Sequence, residues 1–244
     1  MSGHSKWNNI KHKKEKTDAQ RGKIFTKIGK EMAIAIKAGG ADPASNSKLR
    51  DLIAKAKANN VPNDNIDRVI KKALGETDVV YEEIYYEGYG PSGVAVIVYT
   101  TTDNRNRTAS EMRHYFDKYG GNMGAANCVS WSFDRKGVIV IDNEDEELDE
   151  DTVMMDALDA GAADFEAEGA VMTVYTAEED VAAVSDALTA AGYKLLSAQV
   201  EMLPHNGYIK LTSEDDIKNM QKMLDMFEDN DDVQNVWHNW EDAE

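Results

Sequence analysis

An α+β fold in three parts is predicted: an N-terminal three-helix domain, then a discontinuous α/β domain carrying an inserted ferredoxin-like βαββαβ domain. Three observations predict it. Apolar residues recur at helical spacing up to about residue 75; from Tyr81 they give way to aromatic and β-branched runs split by glycine turns; and from Val138 strand and helix patterns alternate in βαββαβ order.

The first helix is expected over about 17–38. Thr17 and Gln20 form a capping box, Phe25, Ile28, Met32 and Ile36 make one apolar stripe, and Gly39 and Gly40 stop the run. Leu49, Leu52, Ile53 and Ala56 mark a second helix. After Pro62, Asp64 is expected to cap a third, with Ile66, Val69, Ile70 and Ala73 facing inward. YEEIYYEGYG and GVAVIVYTT read as a hairpin closed by Gly-Pro-Ser-Gly; a helix over RTASEMRHYFDKYG and a strand over VSWSF follow.

Arg135, Lys136 and Gly137 read as a turn. Beyond it come a strand at 138–142, a helix at about 149–160, strands at about 164–167 and 170–175, a helix at 178–191 and a strand at 194–203. The last helix and strand, SEDDIKNMQKMLDMFED and VQNVWHNW, bury too little alone and are expected to return to the earlier sheet. The expected domains are thus 1–78, 79–136 plus 205–244, and 137–204 as the insertion.

Charge is unevenly placed. The chain of 244 residues carries −18 overall, yet residues 1–78 hold 17 Lys and Arg against 9 Asp and Glu, a net +8, and residues 79–244 hold 10 against 36, a net −26. A basic end on an acidic body fits a polyanionic partner met at that end. A single cysteine, Cys128, rules out an intramolecular disulfide and a Cys-rich zinc site, and no apolar run is long enough to span a membrane, so a cytoplasmic protein without a membrane partner is expected.

No catalytic constellation stands out. The five histidines show no metal-ligand spacing, the acidic run DNEDEELDED reads as a solvated linker and helix start, and GYGPSG joins strand to strand where a dinucleotide loop would lead into a helix. Neither a cofactor nor a metal is expected.

The basic arm is the stronger signal. Lys6, Lys11, Lys13, Lys14, Lys16, Arg21, Lys23, Lys27 and Lys30 are nine positive charges in 25 residues, with Trp7 as a stacking surface. Lys23, Lys27 and Lys30 form a basic helix face that can continue the arm. Six such phosphate contacts would give a log–log salt slope of about −4 on a single strand and about −5 on a duplex. Asn104, Arg105, Asn106 and Arg107 lie between a strand and a helix, an anion-binding placement in which the arginines oppose the helix dipole; function and pairing to nearby carboxylates both explain it. The second and third helices could form a helix-turn-helix, although the third offers only Arg68, Lys71 and Lys72.

The stretches GHSKWNNIKHKKEKTDAQRGKIFTKIGKEM, NVPNDNIDRVIKKALG, YEGYGPSGVAVIVYTTTDNRNRT and GGNMGAANCVSWSFDRKGVI closely resemble the YebC family of probable transcriptional regulatory proteins, over essentially the whole chain. The resemblance implies the three-domain fold, a broad cavity between domains, a cytoplasmic location and no catalysis. It also implies one of two partners: promoter DNA, the family's usual label, or ribosomal RNA and the ribosome, as for the related mitochondrial translational activator of a cytochrome oxidase subunit. It places nucleic-acid contacts on Lys6, Trp7, Lys11, Lys13, Lys14, Arg21 and Lys23, and on Asn104, Arg105, Asn106 and Arg107. Ser47 and Ser92 depart from the Pro and Gly expected there. Two other readings stay open: a metal-dependent enzyme using carboxylates of the interdomain cleft, and a protein-only interaction module.

Overall fold

The computed structural model describes residues 18–75, 79–144 and 148–241, with side chains from residue 22 onward. Thr17 of the expected capping box lies outside this range. The described residues form two compact units, one of 18–129 with 211–238 and the other of 130–210 with 239–241.

The first unit begins with α1 (Asp18–Gly39), α2 (Ser47–Ala58) and α3 (Asn63–Leu74). Their apolar stripes close on one core of Ile28, Met32, Ala35, Ile36, Leu49, Leu52, Ala56, Val61 and Ile66. Gly40, at φ +84°, ends α1 in the left-handed conformation that glycine adopts without strain. Asn46 organises the turn that follows: its Oδ1 accepts the Leu49 N–H at 3.1 Å, and its Nδ2 donates to the carbonyls of Ala35 and Gly40. Ser47 is therefore the first residue of α2, where proline is favoured because no N–H is needed. The expected Asp64 cap is corrected. Pro62 is the capping residue, without a side-chain bond, and Asp64 sits in the first turn of α3. The Pro62 carbonyl receives the N–H groups of Asn65 and Ile66.

The same unit holds an antiparallel sheet of β1 (Glu82–Tyr89), β2 (Ala95–Thr102), β3 (Asn122–Met123) and β9 (Val233–His238), in the order β3-β1-β2-β9. GYGPSG closes the β1–β2 hairpin through a 3-10 turn, Pro91–Gly93. Ser92 stands there at φ +53°, which explains why glycine is expected at this position, and its hydroxyl donates to Asp216 at 2.6 Å. Helices α4 (Arg105–Lys118) and α7 (Glu214–Asp229) supply the buried Met112, Phe116, Met220, Met223 and Phe227; the Phe116 and Phe227 rings meet edge to face at 5.2 Å. The final helix and strand thus return to the earlier sheet, with β9 beside β2.

The second unit is built on β4 (Phe133–Asp142), α5 (Glu150–Asp159), β5 (Asp164–Glu168), β6 (Val171–Thr176), α6 (Val181–Ala190) and β7 (Leu195–Pro204). The strand order β5-β6-β4-β7 with two helices on one face is the ferredoxin-like arrangement. Ile139, Ile141, Met172 and Val174 of the sheet bury against Val153 and Ala157 of α5 and Val184 and Leu188 of α6. A short parallel pair, β8 (Ile209–Lys210) with β10 (Trp240–Glu241), completes it.

Two expectations are overturned here. VSWSF is not a strand: Ser130–Ser132 form a 3-10 turn leading into β4. Arg135–Lys136–Gly137 is not a turn but the middle of β4, pairing with β6 and β7. Gly137 is needed for close approach, since a Cβ there would lie 2.0 Å from Thr176 Oγ1 and 2.1 Å from Val181 Cγ2.

Candidate nucleic-acid interface

Lys6, Trp7, Lys11, Lys13, Lys14 and Lys16 lie outside the described residues, as does the side chain of Arg21. The candidates that can be placed are Lys23, Lys27 and Lys30 on α1 and the Asn104–Arg107 segment at the start of α4.

Asn104 is the N-cap of α4, its Oδ1 accepting the Arg107 N–H at 3.1 Å. Arg105, Asn106 and Arg107 follow in the first turn, all exposed. The two arginines differ sharply. Arg107 Nη2 donates to Asp103 at 3.0 Å and to Asp232 at 2.7 Å. Both carboxylates sit near the helix N-terminus, so they offset the positive end of the dipole that the arginines oppose. The Arg105 guanidinium has no ion-pair partner among the described residues. Of the two explanations for arginines at a helix start, pairing accounts for Arg107 and leaves Arg105 available to an external anion.

Asp232 is the hub. Its carboxylate, 5% exposed, accepts from Lys30 Nζ at 2.5 Å, Arg107 Nη2, Thr108 Oγ1 at 2.7 Å and Thr102 Oγ1 at 3.1 Å. Burial alone would push this carboxyl up; hydrogen bonds from Arg107, Lys30 and Thr108 outweigh burial and bring it to about 2. The Arg107 guanidinium is pushed up by the hydrogen bond it donates to Asp232, so it stays charged at any accessible pH.

The α1 lysines point to the same acidic turn. Lys23 Nζ donates to Asp229 Oδ1 at 2.7 Å, Lys27 Nζ to the Glu228 carbonyl at 2.7 Å, and Lys30 Nζ to the Asp231 carbonyl at 2.9 Å as well as to Asp232. The hydrogen bond to Asp229 raises the Lys23 ammonium above its ordinary value. This lysine face, expected to extend the arm, is held by the 228–232 turn. Lys23 keeps a side chain 42% exposed, against 13% for Lys30.

Between α1, α4 and this turn lies an open cavity of about 510 Å³, lined by the cations of Lys30 and Arg107 and by the carboxylates of Asp103, Glu111, Asp229, Asp231 and Asp232. Five negative charges against two make it a poor phosphate cradle. Asn230, also on the turn, donates to Glu111 at 2.8 Å and to the Tyr115 hydroxyl at 3.1 Å, fastening the turn to α4.

Sequence reasoning missed Asp232, Thr102 and Thr108. The one available signal was the acid run Glu228–Asp229–Asn230–Asp231–Asp232 between a helix and a strand, opposite a helix start carrying two arginines. Elsewhere on the helices, Lys48 pairs with Glu83 and Lys55 with Glu31, both at 3.2 Å, while Arg68, Lys71 and Lys72 on α3 are exposed. Among the described residues no group of three or more His, Cys, Asp or Glu side chains is placed to hold a metal ion, and no helix is long and apolar enough to cross a membrane.

Comparison with known proteins gives one answer at three levels. The family model described as the TACO1/YebC protein N-terminal domain matches residues 5–76, and that of the TACO1/YebC second and third domain matches residues 81–240. A probable transcriptional regulatory protein of Acetivibrio thermocellus is 60% identical over 98% of this chain and 99% of its own; one of Caldicellulosiruptor bescii is 58% identical over the full length of both. The crystal structure of a conserved hypothetical protein from Aquifex aeolicus superposes with a TM-score of 0.84 at 42% identity, covering 94% of this chain and 93% of that one. An N-terminal helical segment followed by mixed α+β units, in a sequence matched along nearly its whole length, places this chain in the TACO1/YebC family.

Proposed function

We propose that the chain is a non-catalytic, nucleic-acid-binding regulator of gene expression, acting on RNA at the ribosome from the cytoplasm. The observation that carries this reading is the charge division: a net +8 over residues 1–78 against −26 over the remainder. A basic N-terminal arm with Trp7 suits a phosphate backbone with unstacked bases, and an acidic body keeps the rest of the surface off the polyanion. Arg105, charged and without an ion-pair partner among the described residues, adds a contact at the start of α4. The arm and Arg105 grip the backbone and set position; the acidic body, taken as the modules 79–136 plus 205–244 and 137–204, holds a neighbouring macromolecule in register.

RNA is favoured over duplex DNA because a major-groove reader needs a helix aiming Arg, Asn or Gln at base edges, and α3 exposes only Arg68 as such a donor besides Asn63 in its first turn, Asn65 being half-buried. The second reading, promoter DNA, rests on the name carried by the relatives, probable transcriptional regulatory protein. Sedimentation of the tagged protein through a gradient, with and without RNase and at two salt concentrations, separates them. Comigration with ribosomal particles, lost on charge reversal of Lys13, Lys14 and Arg105, supports the RNA reading. Protein that stays at the top of the gradient and instead protects promoter duplexes supports the other.

A further inference from the structure

The ferredoxin-like unit buries one side of each of its helices and leaves the other apolar. On α5, Val153 and Ala157 enter the core, while Met154, Met155 and Leu158 point outward with 37%, 63% and 48% of their surface exposed. On α6, Val184 and Leu188 are buried and Ala182, Ala183, Ala187 and Ala190 are exposed. The two helices lie against each other on the same sheet face. Their outer surface therefore pairs one wall of long, adaptable side chains with one of small ones. An apolar surface of this kind on an otherwise highly charged unit marks an interaction site.

Charge chooses the occupant. The patch is bordered by exposed Asp151 and Asp159 on α5 and by Glu179 and the Arg135-paired Glu178 just before α6, and exposed Asp186 stands among the alanines of α6. Residues 130–210 hold 19 Asp and Glu against 4 Lys and Arg, a net −15. A second copy of this surface would bring like charge to like, and a nucleic acid would be repelled. A helix with leucine-type residues on one side and lysine or arginine on its flanks satisfies both parts: its apolar side fits between the Met and Ala walls, and its cations reach the acidic rim. We propose that the outer surface of α5 and α6 is a docking site for a lysine- and arginine-rich amphipathic helix of a partner protein. This site is separate from the nucleic-acid contacts proposed above and stands or falls independently of them.

The test is NMR of the full chain carrying ¹³C-methyl methionine, titrated with a synthetic amphipathic peptide of leucine and lysine in helical spacing. Saturable shifts of the Met154 and Met155 methyl resonances are expected, with the buried Met172 and Met220 unmoved. A glycine–serine–lysine peptide of the same charge should leave all four in place. The pair Met155→Ser and Leu158→Ser, on exposed positions, should weaken binding about tenfold or more, as loss of central apolar anchors does. Asp151→Asn with Asp159→Asn, which keeps the apolar surface, should weaken it too and flatten its salt dependence. The proposal is overturned if the peptide leaves Met154 and Met155 unmoved, if the serine variants bind as the parent does, or if an oligoribonucleotide moves these resonances in the peptide's place. Self-association abolished by Leu158→Ser would also overturn it, assigning the surface to a second copy.

Discussion

Lys30 of α1 and Asp232, 202 residues apart in sequence, meet at 2.5 Å with side chains 13% and 5% exposed. The same carboxylate takes Arg107, Thr102 and Thr108, so one buried anion joins the helical core, the end of β2 and the start of α4. The cost of desolvating Asp232 is met only because every partner is present.

Asp232→Asn removes the charge and keeps the shape, leaving the Lys30 ammonium largely buried without its counter-ion. Breaking a buried pair in this way costs about 3–5 kcal/mol. Urea unfolding of the full-length variant should show a stability loss near the low end of that range, since Arg107 is partly exposed and keeps Asp103. Lys30→Met paired with Asp232→Asn should recover part of the loss, giving a non-additive double-mutant cycle.

The pH dependence follows from the same group. The Asp232 carboxyl titrates at about 2 in the folded chain, against 3.8 for an ordinary aspartate. A depressed folded-state value contributes stability that is complete above pH 3.8 and is lost as pH falls towards 2. Stability curves of the parent and of Asp232→Asn, measured at descending pH, should therefore converge through this window and stay parallel between pH 5 and 7. Curves that remain parallel down to pH 2 would show that Asp232 is not the group responsible.

Gly137→Ala tests the corrected reading of β4. A methyl group there meets Thr176 Oγ1 and Val181 Cγ2 at about half the normal contact distance, so β6 or the start of α6 must move. Overpacking of this kind costs about 1–3 kcal/mol. At a solvent-facing turn the same change would be close to neutral. Thermal unfolding followed by the near-ultraviolet signal should show the loss, and Gly137→Ala combined with Thr176→Ala and Val181→Ala, which remove the two opposing atoms, should recover part of it.

Much of the fold was legible because local pattern and tertiary burial agree. The stripe Ile28, Met32, Ile36 is the stripe that α1 buries, the aromatic and β-branched run in GVAVIVYTT is β2, and the βαββαβ order survives intact. Gly137 was misread because glycine signals a turn and a close approach with the same letter, and only the opposing residues, Thr176 and Val181, tell them apart. Asp64 was misread as a cap because an acid after Pro62 fits either the cap or the first turn. At the candidate site, the helix was expected from Arg107 and begins at Arg105 with Asn104 as its N-cap, yet the position of Asn104–Arg107 between a strand and a helix could be seen. The hub could not. Asp232 lies 125 residues from Arg107 and 202 from Lys30, and a composition-based reading treats its acidic run as solvated. For the same reason Lys23, Lys27 and Lys30 read as an open basic face, although the 228–232 turn holds all three.

That difference separates the arginines of α4 experimentally. Arg105 has no ion-pair partner among the described residues, whereas Arg107 is committed to Asp103 and Asp232. Under the proposed function, Arg105→Gln should leave unfolding unchanged, weaken binding to single-stranded RNA, and reduce the log–log salt slope by about 0.7, the value for one phosphate contact. Arg107→Gln should do the reverse: it leaves Asp232 short of a donor, so stability falls by about 1–3 kcal/mol, while the salt slope stays the same. Fluorescence anisotropy of a labelled oligoribonucleotide at several salt concentrations, alongside urea unfolding, reads both quantities. If Arg107→Gln changed the slope and Arg105→Gln did not, Arg107 would have to leave Asp232 for a phosphate on binding, and the hub would be part of the interface, not its support.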